Sequence, residues 1–365
     1  MDTPALYELF FRCFAFILGA TVGSFLNVCI YRLPRGLSVN EPRRSFCPSC
    51  KTPIPWHQNL PLLSWLWLRG KCASCGSRIS FRYFAVELLT ALLFLAVWIG
   101  FPWPVAISYW VLVSLLIVAT FIDFEHFIIP DEITLGGTAA GVIASLIVPD
   151  LMEQDARLLA ALYSLGSAAL GYVLLWLVLE GGKKAFGKKR IRLDAPTSFS
   201  WVRQGDDAEL VVGDERGLWS DHFARETDLM VMHCTEAQVD DRVFQNPTLQ
   251  LHYNLLKIEE ECFRLDEVDR ITGVVRELHI PREAMGRGDL KFLAAIGAFL
   301  GWRGVLCGIF AGSLIGSVVG LLSLLFGRRA WSAKIPFGPY LALGALIWMF
   351  FGTRLMAWYV GLLTP

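Results

Sequence analysis

Apolar residues run almost unbroken through eight stretches of the chain, at 6–30, 84–100, 105–121, 133–148, 158–179, 290–302, 305–326 and 340–363. Runs of this kind predict membrane-spanning helices, about eight in all. The sixth holds 13 residues, short of the ~20 that cross a bilayer, and predicts a thinned or funnelled region. Two polar segments interrupt the series. The first, 31–83, is proline-rich between 53 and 61, which predicts a rigid loop there and not a helix. The second, 193–284, is far too long for a plain connection. Apolar residues alternate at Leu249, Leu251, Tyr253 and Leu255, and strand-like patterning recurs at Ile271, Val274, Val275, Leu278 and Ile280. With Gly213 and Gly217 as turn points, this predicts a small, mainly β domain.

Composition agrees with the pattern. Of 365 residues, 55% are hydrophobic and 18% charged, which excludes an ordinary soluble enzyme. The net charge of zero conceals segregation. Residues 31–86 hold nine Lys or Arg against the lone Glu41, so the positive-inside rule places this loop in the cytoplasm. Counting helices puts 183–192 and Arg328, Arg329 and Lys334 on the same side, and 102–104 and 150–157 on the other. The first apolar run leads into a basic loop with no small-residue cleavage pattern, and so reads as a retained helix. The expected organisation is a first transmembrane helix (1–30), a cytoplasmic cysteine loop (31–83) and helices two to five (84–192). An acidic cytoplasmic domain (193–284) and a final segment with helices six to eight (285–365) follow. The inserted domain has about twice as many acids as bases, and its His222, His233 and His252 carry no ligand spacing.

Candidate chemistry falls in three places. Cys47-Pro48-Ser49-Cys50 and Cys72-Ala73-Ser74-Cys75 form two CxxC knuckles in a loop predicted to be reducing. Four thiolates close the sphere of one structural tetrahedral ion, zinc or, with the same geometry, iron. Gly286-Arg287-Gly288-Asp289 sets a carboxylate at the mouth of an apolar segment, between glycines that admit a second backbone. An Asp capping a helix N-terminus reads equally well from this stretch alone. The third helix ends in Ile122-Asp123-Phe124-Glu125, on the same predicted face, with Asp123 deepest and Glu125 and Asp131 toward solvent. Two aspartates from two helices at one interface supply one ionised and one neutral carboxyl, the pair that peptide hydrolysis without a metal requires. Small residues complete the pattern: Gly19, Gly23, Ser24 and Asn27 on the first helix, and Gly304, Gly308, Gly312, Gly316 and Gly320 on the seventh, predict close helix packing. Asn27 reads as an interhelical contact or as a group facing a site.

These residues resemble the type IV prepilin leader peptidases, GxGD aspartic proteases of the bacterial inner membrane. The resemblance is carried by Gly23 to Asn27, both CxxC pairs, Asn59-Leu60-Pro61, Gly70-Lys71-Cys72, Tyr83 with Glu87 to Thr90, Ile122-Asp123 with Ile129-Pro130-Asp131, Gly286 to Lys291, and Pro336 to Tyr340. It implies that Asp123 and Asp289 are catalytic, supported by Gly286, Gly288 and Lys291. Its implied substrates are prepilin and pseudopilin precursors cut after a glycine at the cytoplasmic face. Members with the cysteine loop also methylate the new N-terminus with S-adenosylmethionine, which implies a methyltransferase region around Asn59, Gly70, Lys71 and Glu87. Gln58 stands where the family usually has an acid, and Phe84 where it has proline. Expected partners are the precursors, the lipid bilayer and pilus or secretion assembly components, with no nucleic acid. The rival reading is a non-enzymatic zinc-braced membrane scaffold or a cation transporter; a cation pathway calls for polar groups near the midplane, not at one interface.

Overall fold

The computed structural model describes residues 3–42, 45–186, 188–204, 207–213, 215–219, 223, 229–281, 286–326 and 336–363. Arg328, Arg329, Lys334 and His222 lie outside these residues, as do the side chains of 183–194. The chain divides into two units, 1–176 with 286–365, and 177–285.

The first unit is helical. Its elements are α1 (Thr3–Arg32), α2 (Leu63–Trp67), α3 (Phe81–Gly100), α4 (Trp103–His126), α5 (Asp131–Ile147), α6 (Arg157–Phe186, which runs on into the second unit), α7 (Arg287–Leu325) and α8 (Gly338–Leu363). Six of these, α1, α3, α4, α6, α7 and α8, are long and apolar enough to cross a membrane. The large exposed side chains on α1 and α8, such as Phe10, Ile17, Trp358 and Tyr359, are the surface that lipid would cover. Boundaries follow local chemistry. Ser80 caps α3 by accepting the Arg82 amide, α4 and α5 start after Pro102 and Pro130, and α4 stops where Phe127 turns left-handed at φ 55°. The short α2 and a 3-10 turn at Trp56–Gln58 appear within the polar loop, where the prolines predicted irregular backbone.

The sixth and seventh apolar runs are two helices of a tight hairpin within α7. Gly301 has φ 69° and ψ −179°, a conformation open essentially to glycine alone. The halves fold back on each other: Gly308 meets Leu293, and Gly297 meets Val305. The 287–300 arm is enclosed by protein, since every residue from 292 to 300 is buried. Gly137 and Gly141 of α5 lie against Ala295 and Ala298, while Gly171 and Ser167 of α6 lie against Leu293 and Gly297. From 292 to 300 the arm is therefore a core helix, apolar all round, which accounts for its short apolar run.

Glycines set the other helix pairs as well. Gly19 and Gly23 of α1 admit Ala91 and Glu87 of α3. In the second arm of α7, Gly304, Gly308 and Gly312 admit Trp348, Gly344 and Tyr340 of α8. Both pairs are antiparallel, with backbones close enough that a Cβ at most of these positions would collide.

The second unit carries a nine-stranded antiparallel sheet in the order β3-β2-β1-β9-β4-β6-β7-β8, with β5 paired to β4. The strands are β1 (Lys188–Gln204), β2 (Asp207–Val212), β3 (Glu215–Leu218), β4 (Met230–Val239), β5 (Arg242–Gln245), β6 (Thr248–Leu251), β7 (Leu255–Ile258), β8 (Glu261–Arg264) and β9 (Arg270–Pro281). Its core holds Trp201, Trp219, Met230, Met232, Leu249 and Leu256. The alternation from Leu249 to Leu255 is divided by a turn into β6 and β7. Gly213 is a turn at φ 62°, but Gly217 lies inside β3, paired with Leu210.

Because only glycine reaches the Gly301 conformation at low cost, Gly301→Ala should destabilise the helical unit by about 1–3 kcal/mol. Thermal unfolding in detergent should show a lowered midpoint; an unchanged midpoint would contradict the hairpin.

Candidate active site

Asp123 and Asp289 are both buried, at 5% and 7% exposure, and both lie at the end of the helical unit where α4 stops and α5, α7 and α8 begin. Asp123 is held by backbone: the Gly338 amide, at the N-terminus of α8, donates to its Oδ2 at 2.9 Å. The Gly286 amide donates to the Asp289 carboxylate, on which the Asp123 charge also acts. Ile129 joins the two. Its backbone lies against Gly288, and its side chain lies against Gly338. A Cβ on Gly338 would stand 2.8 Å from Asp123 Oδ2, and one on Gly288 3.2–3.4 Å from Ile129 atoms. The glycines around Asp289 thus bring the loop after α4 close, and Gly338 brings a helix N-terminus onto Asp123.

The charges around the pair are used otherwise. Lys291 pairs with Asp131 at 2.6 Å, tying the first turn of α7 to that of α5. Glu125 takes a two-pronged contact from Arg82 of α3. Gly338 and Ile129 lie in stretches that carry the resemblance, but sequence reasoning gave neither of them a role. Gly338 stands between Phe337 and Pro339, and Ile129 beside Pro130 reads as an ordinary apolar contact.

The four cysteines form one cluster, their sulfurs all within 4.8 Å of one another. Cys47 and Cys75 sulfurs are 3.9 Å apart, close to the ~3.8 Å expected for two thiolates on one tetrahedral ion with ~2.3 Å bonds. Each knuckle turns back on itself, the Lys51 amide bonding Cys47 O and the Gly76 amide bonding Cys72 O. The Cys50 amide and the Ser77 hydroxyl hold the Cys47 thiol down at about 6. Ser77, through its hydroxyl and its amide, also lowers Cys75. Donors aimed at sulfur favour the thiolate, the form that binds a metal. The cluster can hold a metal ion.

Beside the cluster lies a cavity of about 450 Å³, lined among others by Ser24, Asn27, Cys47, Asn59, Glu87 and Glu125. Its floor is the α1–α3 interface. Glu87, 9% exposed, accepts the Leu62 amide at 2.7 Å and the Ser24 hydroxyl. Leu62 has φ 63° and ψ −51°, with the Leu63 amide bonded to Pro61 O at 2.7 Å. This is a γ-turn of the rare, strained hand, and it aims an amide at a buried carboxylate. Gly70 has φ 64° beside the Trp65 ring, and Lys71 bridges to Arg78. Of the four residues around which a methyltransferase region was expected, Asn59 and Glu87 line the cavity and Gly70 and Lys71 do not.

The bacterial peptidase A24 N-terminal domain matches residues 17–101, and the type IV leader peptidase family matches 110–192 and 271–321. A protein of Aeromonas hydrophila named prepilin leader peptidase/N-methyltransferase is 30% identical over 94% of this chain and 92% of its own length. One of the same name from Legionella pneumophila is 28% identical over 97% and 96%. One from Myxococcus xanthus is 40% identical over 54% and 59%. No solved structure gives a significant match. The chain belongs to the type IV leader peptidase family.

A methyl group at position 338 would overlap the Asp123 carboxylate, so if Asp123 is a reacting group, Gly338→Ala should lower peptidase activity at least about tenfold by misplacing it. Circular dichroism should remain that of a folded helical protein. Full activity in this variant would show that the Gly338 contact does not position Asp123.

Proposed function

We propose that this chain is a membrane-embedded aspartic endopeptidase that removes the basic leader of type IV prepilins and pseudopilins, after a glycine, at the cytoplasmic face of the bacterial inner membrane. It also methylates the new N-terminus, with S-adenosylmethionine as donor. The observation that carries peptidase action is the placing of two buried carboxyls at one end of the bundle, each held by a backbone amide and bounded by glycine. One carboxyl, ionised, takes a proton from water; the other, protonated, donates to the scissile carbonyl. Glycine on both sides of Arg287 leaves room for an extended substrate backbone. Family membership and the names of the relatives favour this reading over a scaffold or transporter.

Either Asp123→Asn or Asp289→Asn should abolish cleavage of a co-expressed pilin precursor, followed by mass spectrometry, while the protein stays folded. The double variant should lose no more than either single one, because the two act as a unit. Near-normal processing by Asp123→Asn would leave the paired-carboxylate mechanism without support.

Cys47, Cys50, Cys72 and Cys75 hold zinc as a structural ion. With four thiolates its coordination is closed, so it shapes the loop and does not activate water. Metal analysis of purified protein should find one zinc per chain, and Cys72→Ser should lose it with more damage to methyl transfer than to cleavage. No stoichiometric metal would end this reading.

The inserted domain, 193–284, lies on the cytoplasmic side as an accessory domain. A protease added to sealed right-side-out vesicles should leave it intact, and cutting there would reverse the assigned orientation.

A further inference from the structure

Asn27 is 3% exposed and lines the cavity. Its Nδ2 donates to the Tyr83 carbonyl at 3.0 Å. That contact fixes the amide orientation, because a carbonyl only accepts. Asn27 Oδ1 is then an acceptor that receives no donor among the described residues, an unusual and costly state for a buried polar atom. Across the same helix pair stands Glu87. Gly23 packs on Glu87 and Asn27 bonds Tyr83 one turn along, so both acceptors belong to one stretch of the α1–α3 seam. Among the described residues no Lys, Arg or His pairs with Glu87. Of the cations that line the cavity, Arg32 donates to the carbonyls of Ser38, Val39 and Pro42, Arg35 to that of Tyr31, and Arg82 to Glu125; Arg78 lines it as well and is exposed. The seam thus holds a carboxylate and an amide oxygen, neither of them paired with a cation among the described residues.

We propose that Asn27 Oδ1 and the Glu87 carboxylate form a subsite for an aliphatic ammonium group, that of the peptide N-terminus awaiting methylation. This rests on the methyl-transfer reading above and adds which residues hold the acceptor. An ammonium has three N–H donors, enough for both acceptors. Its charge answers that of Glu87, while the Leu62 amide and the Ser24 hydroxyl keep that carboxylate in place. In the transfer the ammonium first gives a proton to Glu87. The freed nitrogen lone pair then attacks the methyl carbon of a sulfonium donor, forming C–N as S–C breaks, and sulfur keeps the electron pair. The donor carries an amino group of its own, so the same chemistry has two sources, and the test must separate them.

The full-length chain in nanodiscs is titrated, without donor, with a pilin-like peptide bearing a free N-terminus and with the same peptide N-acetylated. Titration with S-adenosylmethionine alone forms the second arm. Wild type should prefer the free amine by about tenfold or more, the scale of a hydrogen bond to a charged group. Glu87→Gln and Asn27→Leu should each erase most of that preference, and Glu87→Asp should restore part of it. Precursor cleavage on the same samples reports whether the variants fold. If Glu87→Gln instead weakens S-adenosylmethionine and spares the peptide, the ammonium held is the donor's, and the assignment to the peptide is overturned. If neither affinity moves in a folded variant, there is no ammonium subsite. Absence of methyl transfer in wild type would remove the methyl-transfer reading separately, since binding is measured without turnover.

Discussion

A carboxyl enclosed in an apolar helical bundle must be given hydrogen-bond donors from within the protein, and in this fold they come from backbone. Asp123 sits near the C-terminal end of α4, where the helix dipole disfavours an anion. The N-terminus of α8 is set directly against it, with the Gly338 amide on Oδ2, and this supplies the opposite end of a dipole. Asp289 occupies the first turn of its own helix. The two carboxyls are thus served by different helix N-termini, and among the described residues neither is paired with an arginine or lysine. Much of the remaining architecture brings three helix N-termini, those of α5, α7 and α8, to the C-terminus of α4.

That convergence depends on missing side chains. Along α1 and α3 the pairings Gly19 with Ala91 and Gly23 with Glu87 continue into Asn27 with the Tyr83 carbonyl, so one seam changes from a packing contact to a polar layer within two turns. The α7–α8 pair repeats the device with Gly304, Gly308 and Gly312. Its register ends at Tyr340, two residues from the amide that holds Asp123. A stripe of small residues that fixes helix separation therefore also fixes where Gly338 stands. The short arm 287–300, apolar on every side, serves as the post around which α5, α6 and the second arm are arranged, and it carries Asp289 at its foot.

Most of this was legible as pattern. The eight apolar runs correspond to eight helical segments, because burial in lipid or in a bundle imposes the same continuous apolar composition. The cysteine spacing announced a four-sulfur cluster, since two knuckles have little else to do. Arg303 and Gly304 separate the sixth and seventh runs. That break did not reveal a reversal of direction, which depends on a single φ at Gly301. What made the sixth run short was equally hidden: composition cannot distinguish a helix wrapped by protein from one facing a thin bilayer. The Leu62 γ-turn was out of reach for a similar reason. A leucine after a proline has no preference for that strained geometry, and only the Glu87 carboxylate opposite gives it a purpose.

The inserted sheet shows why a family fold can accept so large an addition. Its first and last strands are partners: Lys188 pairs with Pro281 and Arg192 with Glu277. The chain therefore enters and leaves the domain side by side. The family's sequence pattern stops at 192 and resumes at 271, both within this β1–β9 ribbon. An insertion whose ends are already hydrogen-bonded together asks little of the helices on either side, since loop closure is met inside the domain. Its core of Trp201, Trp219, Met230 and Met232 is likewise its own. The insert thus meets its loop closure and its packing within its own residues.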